Sequence, residues 1–96
     1  MADEVPKQPK SIPIKVTDDI VGGVYSNHMM ISHTQEEFFM DFFSVLPEAG
    51  KLSARVIASP GHMKRIARAM VENIAKYEAR FGMITEAPEP PVGKVH

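Results

Sequence analysis

The chain contains no cysteine, which excludes disulfides, thiol nucleophiles and cysteine-ligated zinc together. It has no excess of either charge: eleven basic against twelve acidic residues leave a formal net charge of -1, so no strong electrostatic attraction to nucleic acid or anionic membrane is expected. No apolar run approaches the roughly 18–20 residues needed to span a bilayer. The opening MADEVPKQPK is polar and mixed in charge, unlike a signal peptide, and a cytoplasmic location is the expectation. With 96 residues the chain suits one domain. No internal repeat is visible.

What is there begins with a helix. Ser59 is a good N-cap, because its hydroxyl can accept from a free first-turn N–H, and Pro60 suits the first helical position. Gly82 provides the stop, with Met83 expected to fold back on Tyr77 in a Schellman-type end. Met63, Ile66, Ala67, Met70, Ile74, Tyr77 and Phe81 fall on one stripe, with Val71 at its margin. Lys64, Arg65, Arg68, Glu72 and Lys76 lie opposite. A charged helix back of this kind is ordinarily a solvated face, although the basic cluster has the chemistry to meet phosphate.

Residues 1–11 are polar and contain proline, and read as a disordered arm. Residues 12–16 alternate Ile12, Ile14 and Val16 with Pro13 and Lys15, which suits a short edge strand. Thr17, Asp18 and Asp19 are turn residues, and Gly22-Gly23 marks a tight turn or bulge. Residues 24–32 read as a strand with methionine on both faces. Residues 37–46 are ambiguous. Thr34 with Glu37 is a capping-box pattern, and Phe38, Phe39, Phe42, Phe43 and Leu46 would share a helical face. Aromatic enrichment, the short span and the Pro47 stop favour a strand, which is the preferred reading. After a turn over residues 47–50, residues 52–58 form a further strand, with Leu52, Ala54, Val56 and Ala58 on one face. Residues 85–96 are Pro-rich and read as extended or disordered, with the EAPEPP stretch able to serve as an extended docking peptide.

The expected fold class is therefore α+β: an antiparallel meander of about four strands packed by one long C-terminal helix, over residues 12–84. One helix covers one sheet face, yet the neighbouring pairs Met29-Met30, Phe38-Phe39 and Phe42-Phe43 make both faces apolar. An uncovered patch of that kind marks an interface, so a homodimer or higher homo-oligomer is expected.

Candidate chemistry is sparse. His28 and His33 point to opposite faces of one strand, and His62 sits in the first helical turn. Together with Glu37 they lack the usual zinc spacing, and no metal or cofactor is assigned. Ser32, His33 and Asp41 are triad residue types without triad geometry; turn capping by Ser32 and Thr34 is the plainer role, and no catalytic residue is assigned. Met29, Met30, Met40, Met63 and Met70 could form an adaptable binding surface, but methionine is more often core filler.

Tyr25-Ser26-Asn27, Ser32-His33-Thr34 followed by Glu37-Phe38, Asp41-Phe42, Arg55-Val56, Ser59-Pro60 with His62 and Lys64-Arg65, Asn73-Ile74, Tyr77-Glu78 and Phe81-Gly82 form a pattern over most of the chain. By that pattern the chain resembles a family of small bacterial proteins of uncharacterised function. The resemblance implies no activity, cofactor or substrate. It directs attention to the polar positions Asn27, His33, Asp41, Arg55 and His62.

The sequence thus points to a non-enzymatic, cytoplasmic, self-associating module that binds another protein. The alternative is nucleic-acid binding through Arg55, Lys64, Arg65 and Arg68 brought together across a dimer. A His-dependent metal or small-ligand site is a third reading.

Overall fold

The computed structural model describes residues 11–93. Aromatic and β-branched residues build its centre. β1 (His28–His33), β2 (Phe38–Val45) and β3 (Gly50–Ala58) form a three-stranded sheet in the order β1-β2-β3, antiparallel throughout. α1 (Asp18–Val21) is a single turn before the sheet, and α2 (Pro60–Phe81) follows β3 through Ser59 alone. The 37–46 ambiguity resolves as the strand β2. Thr34 explains why its capping pattern makes no helix: its Oγ1 accepts from the N–H groups of Glu36 and Glu37 at 3.2 Å each, while Thr34 N donates to Glu37 O at 2.9 Å. The hydroxyl closes the β1–β2 turn instead.

There are three strands among the described residues, not four. Residues 12–16 keep a strand-like alternation but pair with no strand among the described residues and stand exposed; alternation makes a strand only where a neighbour offers a free ladder. The expected turn at Thr17 tightens into α1, Ile20 and Val21 both donating to Thr17 O, and Gly23 follows at φ 77°. β1 begins at His28 rather than at residue 24, because the Asn27 side chain takes over the pairing with β2. The N-terminal arm expected over residues 1–11 lies, but for Ser11, outside the described residues, as do residues 94–96 of the tail.

A β-bulge divides the sheet. Phe42 faces Ala54 but Phe43 faces Leu52, so Ser53 is the extra residue and shifts the phase of β3. Leu52 therefore shares a face with Phe43 and Arg55, not with Ala54, Val56 and Ala58 as a regular strand would require. Facing pairs share a side, and the sheet has two distinct sides. The Met40 face carries Met29 and Ile31, Phe38, Met40 and Phe42, and Ala54, Val56 and Ala58. The Phe43 face mixes apolar residues with His28, Ser32, Asp41 and Arg55.

α2 begins as its sequence implies: Ser59 Oγ accepts from His62 N at 3.2 Å and Pro60 occupies the first turn. Its end differs from a Schellman stop. Gly82 sits at φ 100°, ψ 169°, its N–H donates to Glu78 O, and the Glu78 carboxylate accepts from Ile84 N at 2.9 Å. Met83 is left exposed instead of folding onto Tyr77. Nor does the apolar stripe of α2 lie buried on the sheet of its own chain: no residue of the helix is buried, and Met70, Ile74, Tyr77 and Phe81 are 50–65% exposed. Of the stripe, only Met63 and Ile66, in the first two turns, are half-buried. The hydrophobic core of the described residues is just Met40 (3% exposed), Phe43 (8%) and Ala58 (6%). No helix among them is long and apolar enough to cross a membrane.

Candidate functional site

The polar positions singled out by sequence are used in pairs and at separate places. Asn27 extends the ladder with its side chain. Its Nδ2 donates to Val45 O and its Oδ1 accepts from Val45 N, both at 2.8 Å, while its backbone N–H donates to Phe43 O at 3.0 Å. An amide side chain here imitates a peptide unit, so Asn27 is a strand-end tie.

Asp41 and Arg55 face each other across β2 and β3. Arg55 Nε donates to Asp41 Oδ1 at 2.6 Å and Nη2 to Oδ2 at 2.8 Å, a bidentate fork. These bonds, with the guanidinium charge, hold the Asp41 carboxyl below its ordinary range, and the carboxylate raises Arg55 in turn. The pair leaves three of the five guanidinium N–H groups for other partners.

His62 and Arg65 form the other pair, Arg65 Nη2 lying 2.9 Å from His62 Nδ1 on the first turns of α2. Lys64 and Arg68 are exposed on the same helix. His33 ends β1 on the Met40 face with its ring 5.1 Å from that of Phe38, whereas His28 lies on the other face at the other end of the strand. Among the described residues no three His, Asp or Glu side chains come together as a cation cage.

Two features escaped sequence reasoning. One is a groove of about 470 Å³ on the Phe43 face, lined by Asp41, Phe43, Leu52 and Arg55 and by the chain's own Pro91, Val92 and Gly93. Only the bulge brings Leu52 into it, and a one-residue bulge leaves no periodic signal. The other is His28. Its side chain is 11% exposed, its ring lies 5.7 Å from that of Phe43, and both ring nitrogens are buried without a hydrogen-bond partner among the described residues. Glu89 of the tail approaches to 3.9 Å from Nδ1, too far for a hydrogen bond.

The arrangement presents two surfaces: the apolar Met40 face with the exposed α2 stripe, and a mixed groove bordered on one side by a segment of the tail. No curated protein and no solved structure matches the chain. Residues 1–86 match the family described as "Protein of unknown function (DUF3467)", and with that coverage the chain belongs to it.

Proposed function

We propose that this protein is a non-enzymatic interaction module that self-associates, burying the Met40 face and the apolar stripe of α2 between two copies, and that the dimer binds a further protein. The carrying observation is the exposure of the stripe from Met70 to Phe81. Helices of this kind owe most of their stability to a packed apolar face, and this chain leaves that face in water.

Surface area points the same way. The chain exposes 8946 Å², against about 5,500 Å² for a compact monomer of its mass. The exposed segments 11–25 and 83–89 carry part of the excess, and the uncovered stripe of α2 another. The uncovered parts of Met29, Ile31, Val56, Met70, Ile74, Tyr77 and Phe81 amount to roughly 700 Å² per copy, close to the ~800 Å² each partner contributes to a standard interface. Dimensions match as well: α2 is about 33 Å long and β3 about 30 Å.

Light scattering over a dilution series tests the reading. A mass of twice the chain, held into the micromolar range, is expected; a clean monomer there overturns it. The nucleic-acid alternative starts from Lys64, Arg65 and Arg68, since Asp41 already neutralises Arg55. It requires binding that falls steeply with salt. The metal reading requires stoichiometric metal in protein purified without a His tag.

A further inference from the structure

The tail between α2 and residue 93 is exposed along its length except at Pro90, which is half-buried. Pro91, Val92 and Gly93 form one side of the groove on the Phe43 face while themselves exposed, and Glu89 stands beside His28. Phe43, although it lies on the outer side of a three-stranded sheet, is almost wholly buried. We propose that this groove is a docking site for an extended, proline-containing acidic peptide, and that residues 89–93 occupy it within the same chain as a built-in competitor.

The chemistry of both sides fits. Pro88, Pro90 and Pro91 fix φ, so an extended backbone loses little entropy on docking. Phe43 and Leu52 give the apolar floor that such segments need. Arg55 keeps N–H donors beyond those used on Asp41, and Lys51 lines the groove together with Glu48, opposite a tail whose charged residues before the groove are Glu86 and Glu89. The fit of the tail is incomplete at His28: a carboxylate seated about 1 Å closer to Nδ1 would accept from a protonated ring nitrogen that now has no partner. A partner peptide with an acid at that place gains a bond that the tail does not make. The tail has the advantage of tethering, which sets its effective concentration in the millimolar range for so short a linker.

The test uses full-length protein and a fluorescent synthetic peptide of residues 85–96. A Pro91→Asp/Val92→Asp variant, whose own tail no longer fits, is expected to bind the peptide at least about tenfold more tightly than the unaltered protein, as removal of a tethered competitor requires. Adding Leu52→Glu, at a position 46% exposed, is expected to abolish that binding. Absence of saturable binding to the tail variant, equal affinity for the unaltered protein, or binding indifferent to Leu52→Glu each overturns the proposal. A second measurement does not depend on these variants folding. The chain has no cysteine, so Leu52→Cys/Val92→Cys introduces a single pair. Mild oxidation is expected to close it within one chain; no disulfide, or one only between chains, overturns occupation by the chain's own tail. Neither result depends on the dimer of the Met40 face, which light scattering reads separately.

Discussion

Asp41 and Arg55 form the best-defined polar contact of the sheet, and its consequence is pH dependence at the acid end. The two bonds from Arg55 hold Asp41 below the ordinary carboxylate range in the folded chain, so on acidification the unfolded chain takes up this proton first. The contribution of the pair is complete above the unfolded carboxylate value, near 3.9, and is lost as pH falls through the lower folded value. Arg55, raised further above its already high value, stays charged throughout. Asp41→Asn is therefore expected to lower stability at neutral pH and to flatten the acid limb of a denaturation-against-pH curve; an unchanged acid limb would assign that limb to other carboxylates. Asn27 has a purely structural role. Asn27→Ala removes both side-chain bonds to Val45 and is expected to cost about 1–2 kcal/mol in urea unfolding, with β1 fraying first from His28 in hydrogen exchange.

At the scale of elements, α2 owes its start to one hydroxyl. Ser59→Ala leaves His62 N without its acceptor and is expected to cost about 1 kcal/mol, measurable as a lowered urea midpoint at unchanged slope. This helix start was legible because Ser59, Pro60 and the 3.6-residue periodicity state the same thing independently. β2 was legible as the better of two readings, since Phe38 to Val45 combines aromatic residues with a length too short for a typical helix. Other elements were hidden for identifiable reasons. Ile12, Ile14 and Val16 carry a strand pattern, but pairing is a property of the neighbour and cannot be read from the strand itself. Ser53 shifts a register by one residue without altering composition, and so conceals the groove-facing position of Leu52. Asn27, Asp41 and Arg55 were legible as positions of interest, whereas their actual bonds depend on which residues β2 brings opposite them. At the far end of α2, Gly82 announces a stop but not its form, which is set by the Glu78 carboxylate reaching Ile84 N.

For the whole molecule, the disproportion between apolar residues and core decides what stability means. Among the described residues only Met40, Phe43 and Ala58 are buried, a small offset to the entropy of ordering a sheet and a 22-residue helix, which is of order 1–2 kcal/mol per residue for the backbone alone. If the missing burial comes from a second copy, folding and association are one equilibrium, and the unfolding midpoint depends on protein concentration. Each tenfold dilution is expected to lower the apparent unfolding free energy of the dimer by about 1.4 kcal/mol. Ile74→Glu places a charge in the middle of the stripe and is expected to remove the dimer in light scattering and most of the cooperative unfolding transition with it. Glu72→Gln, on the solvated back of the same helix, is expected to leave both nearly unchanged. A midpoint independent of concentration in the unaltered protein, with Ile74→Glu still cooperative, would mean that the stripe is not an interface between copies and that a single chain is stable with its helix uncovered.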